Sequence, residues 1–160
     1  LNGYEFAKYN SWGEDLITKF SIYTRAVNSL DDSKDVRISE RVRLPRDKLR
    51  GFESGKVGPK DGSDYVGGNY ATSINFTTNL PMILPSVQSA DFAFFIDAGN
   101  VWGVDYSDTV NESNEIRSAA GIGVNWFTPI GPMNFTLAQP ISKASTDKTE
   151  TFQFSIGTTF

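Results

Sequence analysis

The 160-residue chain contains neither cysteine nor histidine. The first absence removes disulfides, thiolate metal sites and a cysteine nucleophile. The second removes the commonest general base and metal ligand. No nucleophile–base pair can be assembled from what remains, short of a Ser–Lys arrangement to which nothing points. The chain is therefore expected not to be an enzyme, and no cofactor is expected. No run of about 18 apolar residues occurs, so no transmembrane helix is expected. No segment repeats with a period of 3.6, so almost no helix is expected either. Charge bias is small, with 15 Lys and Arg against 19 Asp and Glu. Nucleic-acid binding would favour a basic surface, and none is expected.

What the chain does have is aromatics and alternation. Twelve Phe, six Tyr and three Trp are generous for so polar a sequence. The final stretch places Phe152, Phe154, Ile156 and Phe160 against Gln153, Ser155, Gly157 and Thr159. A strand points alternate residues to opposite faces, so this segment carries one apolar and one polar face up to an aromatic carboxyl terminus. That pattern fits the last strand of an outer-membrane β-barrel, which presents apolar groups to lipid. The same alternation recurs at Leu16–Arg25, Tyr70–Thr77, Phe92–Gly99, Ala119–Trp126 and Met133–Ala138, and Tyr4 and Phe6 suggest an opening strand over 3–10. A negative mean hydropathy does not oppose this reading, because only every second barrel residue faces lipid. Residue 1 is Leu, and the chain is read as a processed product or a piece of something longer.

Thr128-Pro-Ile-Gly-Pro132 forms a short turn, and residues 80–88, with two prolines, make another connection. Residues 103–115 and 141–150 are longer and polar. Bacterial barrels have short periplasmic turns and long outer loops, which puts Phe160 on the periplasmic side. The largest gap, 30–66, begins with Val36 to Leu44, which alternates with Arg37, Arg41 and Arg43 on one face. Seven strands are firm. Either 36–44 completes eight, since single-chain bacterial barrels have even counts, or further strands lie upstream.

The gap continues with Leu49-Arg50-Gly51-Phe52 and then Gly55, Gly58, Pro59 and Lys60. Downstream follow Val66-Gly-Gly-Asn69, Phe95-Ile-Asp97-Ala-Gly-Asn-Val-Trp102, Gly121-Ile-Gly-Val-Asn-Trp126, Ile130-Gly-Pro132, Ala138-Gln-Pro140 and the terminal strand. In this order and spacing the chain resembles the carboxyl-terminal part of the outer-membrane assembly-factor family whose bacterial member is BamA. The resemblance covers roughly the whole chain and is strongest from 49 to 160. It implies an all-β antiparallel transmembrane barrel of sixteen strands, of which this chain supplies the last seven, or eight if 36–44 is counted. It also implies that the 30–66 loop folds into the lumen, with Arg50 meeting Asp97 on the inner wall beside Gly51 and Phe52. Strand parity agrees, since Asp97 alternates with Phe94 and Ile96, and an aspartate on the lipid face is costly. Spacing alone leaves a pair of solvated charges equally open. Where the family usually carries a second wall acid this chain has Asn75, so the clamp is expected to rest on one carboxylate. Gly121 and Gly123 are expected to leave room for the loop tip.

The function implied is folding and insertion of β-barrel proteins at the bacterial outer membrane. The partners implied are lipid, unfolded barrel clients and assembly lipoproteins held by regions absent here. The last strand, weakened at Gly157, would form one side of a seam that opens to template clients by strand addition. Two alternatives stand beside it. One is a two-partner-secretion transporter of the same superfamily. The other is a stand-alone eight-stranded structural barrel, in which Arg37, Arg41 and Arg43 would point inward toward acids such as Glu5 or Asp97. Other motifs dissolve. Gly121-Ile-Gly123 lacks a third glycine, and Asp31-Asp32 and Asp61-Gly-Ser-Asp64 are read as solvated loops rather than metal ligands. Asn75-Phe-Thr77 and Asn134-Phe-Thr136 match a glycosylation triplet but lie in strands. Trp102, Tyr106, Trp126 and Phe127 are read as interfacial girdle residues.

Overall fold

The computed structural model describes residues 1–13, 16–31, 33–80, 89–105, 110–111 and 114–157. Period-2 alternation becomes strand in the seven segments read as firm, but not at 36–44. The elements are β1 (Asn2–Ser11), β2 (Ile17–Ala26), β3 (Lys60–Asp61), β4 (Asp64–Tyr65), β5 (Tyr70–Asn79), β6 (Ala90–Trp102), β7 (Arg117–Thr128), β8 (Gly131–Ser142) and β9 (Phe152–Ile156). Seven of them form one antiparallel sheet in the order β1-β2-β5-β6-β7-β8-β9, and β3 and β4 form a separate two-residue hairpin. The sheet does not close on itself among the described residues, and β1 and β9 are its edges.

Register explains the two faces. Phe20 pairs with Phe76 and Phe76 with Ile96, while Phe94 pairs with Ile122 and Ile122 with Leu137, so apolar side chains line up across the strands. These outward residues stay open: Ile96 is 44% exposed, Ile122 46% and Phe154 40%. Phe135 and Phe154 add an aromatic contact at 5.0 Å between ring centroids. The opposite face carries Ser21, Tyr23, Ser73, Asn75, Phe95, Asp97, Arg117 and Ala119, all buried. The polar face is thus the covered one, the inverse of a soluble sheet and the pattern of a barrel wall.

What covers it is the segment between β2 and β5, residues 27–69. Its scattered apolar residues Val36, Val42, Leu44, Leu49, Phe52 and Val57 join Tyr23, Ala71, Val101 and Ala119 in the one buried apolar cluster found among the described residues. Residues 36–44 are not a wall strand. A single 3-10 turn at Ile38–Glu40 interrupts them, and only Val42 makes a bridge, to Gly68. The three arginines do not share a face either, since Arg41 is buried while Arg37 and Arg43 are exposed. The eight-stranded alternative therefore fails on both its requirements, because β1 and β9 do not pair with each other among the described residues either. A second 3-10 turn, Arg46–Lys48, leads into the Arg-Gly-Phe triplet.

The connections also sort by length. β7 and β8 are joined by a two-residue turn, with Thr128 opposite Gly131. At the other end of the sheet lie the long connections 27–69, 103–116 and 143–151. Residues 81–88 of the proline-bearing connection lie outside the described residues. β9 ends at Ile156, earlier than the alternation suggests. Gly157 turns out of the strand at φ +118°, a left-handed conformation that glycine adopts without penalty. Its N–H donates to the Pro132 carbonyl at 2.9 Å. Phe160 lies outside the described residues.

Candidate functional site: the loop docked on the wall

Arg50 and Asp97 meet. The Arg50 Nε donates to Asp97 Oδ2 and its Nη2 to Oδ1, both at 2.7 Å, the bidentate fork that suits guanidinium and carboxylate. The Arg50 backbone N–H adds a third bond to Oδ2 at 3.0 Å. The guanidinium lies over the Phe95 ring, 3.7 Å from its centroid, and Nη2 also donates to Thr77 Oγ1 at 3.1 Å. The Asp97 side chain is fully buried.

Asn75 is part of this site rather than a gap in it. It pairs with Asp97 across β5 and β6. Its Nδ2 donates both to Asp97 Oδ1 at 2.9 Å and to the Lys48 carbonyl at 2.8 Å, and two acceptors facing one terminus fix which end is the NH2. Ser73 Oγ donates to Asn75 Oδ1 at 3.2 Å. Asp97 thus accepts four hydrogen bonds, about the capacity of a carboxylate. One acid serves because an amide supplies the fourth donor and also holds the loop backbone.

Gly51 lies against β7 and β8. A Cβ there would sit 3.0 Å from the Ala138 Cβ and 3.1 Å from that of Ala119. The floor under the loop tip is therefore built from these alanines, not from the two glycines that sequence suggested. Gly121 instead makes room for the Phe95 ring, whose Cζ would be 2.7 Å from an added Cβ, and Gly123 has open space around it. Phe52 is 1% exposed and anchors the apolar cluster. Its carbonyl accepts from Gln153 Nε2 of β9 at 3.1 Å.

Three further anchors went unread in the sequence. Arg41, with its side chain fully buried, pairs with Asp105, which also accepts from the Val36 N–H and Asn69 Nδ2, each at 3.1 Å. Burial alone would push the Asp105 carboxyl up, but the bonds from Val36, Asn69 and Arg41 outweigh it and hold it below the usual range. Lys48 pairs with Glu5 of β1. Arg117 of β7 pairs with Asp147 of the 143–151 connection, both side chains fully buried. The inward parity of Glu5 and Arg117 was visible in the sequence; their partners, tens of residues away, were not. Glu5 and Asp97 therefore serve Lys48 and Arg50, not the arginines at 37, 41 and 43.

Of the remaining candidates, Phe152 and Ile156 are exposed on the outward face with Phe154. Trp102 stacks on Tyr70 at 5.8 Å, and Trp126 and Phe127 are exposed at the opposite, short-turn end. Asp31 spends its carboxylate on Ser33 and Lys34. Asp32 and Tyr106 lie outside the described residues.

Comparison with known proteins gives this arrangement its relatives. The chain is 34% identical to the outer membrane protein assembly factor BamA of Neisseria meningitidis serogroup B, over 70% of this chain and 17% of that protein. It is 31% identical to BamA of Neorickettsia risticii, over 88% of this chain and 19% of that protein. The chain thus spans less than a fifth of the length of either relative. The crystal structure of BamA from Haemophilus ducreyi lacking POTRA domains 1–3 superposes with a TM-score of 0.82 at 25% identity, covering 95% of this chain and 33% of that one. The Omp85 superfamily domain matches residues 3–160. With a wall whose polar face is roofed by its own arginine-bearing loop, and with homology to BamA along its length, the chain belongs to the Omp85 superfamily.

Proposed function

We propose that this chain is the carboxyl-terminal barrel portion of a bacterial outer-membrane assembly factor, which folds β-barrel clients and inserts them into that membrane. In the whole protein the covered face is the lumen, the loop of residues 27–69 lies inside it, and nine more strands complete sixteen. Partner lipoproteins bind regions outside this chain. β9 lies at the edge of the sheet, with its far side unpaired among the described residues, and an open strand edge suits a seam that receives a client strand.

The observation that carries this reading is the docking of Arg50-Gly51-Phe52 on the wall of a sheet homologous to BamA. A loop fixed by a buried ion pair keeps the barrel in one shape while its seam moves. Breaking a buried pair from one side costs about 3–5 kcal/mol, and Arg50, with its side chain 19% exposed, falls toward the lower figure. Arg50→Ala in the full-length protein should lower the outer-membrane levels of many barrel proteins and expose the loop to protease. Unchanged client levels and unchanged digestion would defeat the reading. Loss of a single secreted client, with other barrels normal, would instead assign a transporter of the same superfamily.

A further inference from the structure

We propose that the loop tip is held at a second point, by the 143–151 connection, and that Arg117–Asp147 is the ion pair that positions this connection to receive it. The wall carries two opposite charges side by side. Asp97 pairs with Ala119 across β6 and β7, and Gly99 pairs with Arg117, so Asp97 and Arg117 are diagonal neighbours on the covered face. Each charge takes its partner from a different loop: Asp97 takes Arg50 from the loop tip, and Arg117 takes Asp147 from the β8–β9 connection.

The second pair is the more enclosed. Arg117 Nε donates to Asp147 Oδ2 at 2.8 Å and Nη2 to Oδ1 at 3.1 Å, with neither side chain exposed. Arg117 Nη1 donates to the Glu115 carbonyl at 2.7 Å and also to Asn100 Oδ1. Asp147 Oδ2 accepts the Ala144 N–H at 2.7 Å and so closes the bend of residues 144–147. Little apolar burial holds this connection, in which Ala144 alone joins the buried hydrophobic residues; the Tyr65 hydroxyl donates to the Thr146 carbonyl, and the ion pair supplies its buried charged anchor on the wall.

Immediately after Asp147 the connection zips onto the loop tip. Glu53 N–H donates to the Lys148 carbonyl and Glu150 N–H to the Gly51 carbonyl, each at 3.0 Å, flanking a bridge between Phe52 and Thr149. Gln153, the first inward residue of β9, donates to the Phe52 carbonyl and to Glu150. Asp147 is therefore a positioning residue: it places the backbone that grips the tip and joins the tip to β9. Loop and terminal strand are thus joined by this bridge and by the Gln153 side chain.

The test uses the full-length protein in its membrane, and only its activity arm rests on the proposed function. Asp147→Asn should speed protease cleavage near residues 50–56 about tenfold or more, as expected when the open form becomes more populated, although Arg50 and Asp97 are untouched. Glu53→Cys with Lys148→Cys, placed opposite each other across the bridge, should cross-link on oxidation, since facing positions of an antiparallel pair lie within disulfide reach. In the Asp147→Asn background that cross-link should restore protease resistance and client levels, and reductant should abolish both. A residue needed only for general stability of the barrel would not be rescued this way. Unaltered cleavage in Asp147→Asn overturns the proposal. So does failure of the cysteine pair to cross-link in the otherwise unaltered protein, a result available even if Asp147→Asn inserts poorly. Protease resistance lost and regained with client levels constant throughout would uphold the positioning role and refute the assembly function.

Discussion

Asp97 shows how much a single inward residue can organise. Parity placed it on the covered face before any coordinates, because Phe94 and Ile96 flank it on the outward one. The number of its donors was not readable, since Asn75 and Arg50 converge on it from a neighbouring strand and from the loop. Asn75 looked like the loss of a charge and is instead the link between wall acid and loop carbonyl. Gly51 is the other decisive position, with φ +90° and two alanine methyl groups below it. Gly51→Ala should destabilise the docked loop by about 1–3 kcal/mol, from backbone conformation and contact together. Ala119→Gly with Ala138→Gly in the same protein should recover the contact part and leave the backbone part. Protease cleavage of the loop measures both, and full recovery would show that conformation contributes nothing.

At the scale of elements, strands were legible and the loop was not. Alternation at period 2 survives any tertiary context that keeps one face in lipid, so all seven wall strands could be read from it. The 27–69 segment has no period. Its valines, leucines and phenylalanine are spaced irregularly because they pack against a preformed wall from a chain without repeating geometry. The arginine alternation at 37, 41 and 43 misled for the same reason, as the turn at Ile38–Glu40 resets the faces. The outer anchor of this loop has a predictable pH dependence. Asp105 is held below the usual carboxylate range in the folded state, so its contribution to stability is fully present above that range and is lost as pH falls through its depressed value. Cleavage around residues 36–42 should be constant from neutrality to about pH 5 and rise below about pH 4, near the ordinary aspartate value. Asp105→Asn should raise cleavage at neutral pH and flatten the profile; an unchanged profile would remove Asp105 as an anchor.

For the whole molecule, the division into a short-turn end and a long-loop end predicts a direction in the membrane, with the long loops outward. Lys143 and Ile130 are exposed at opposite ends. In the full-length protein, cleared of any other cysteine, Lys143→Cys should react with a membrane-impermeant maleimide added to intact cells and Ile130→Cys should not. Labelling of the second alone would invert the orientation. The split into short turns and long connections was readable in sequence, whereas closure of the barrel depends on strands outside the described sheet.

The charges that hold the roof to the wall have one more consequence, for the medium they face. Asp97, Arg117 and Asp147 expose none of their side chains, and counterions act on pairs they can approach, within about 3 Å of screening length in molar salt. Attractions sealed this way keep their strength from dilute to concentrated salt.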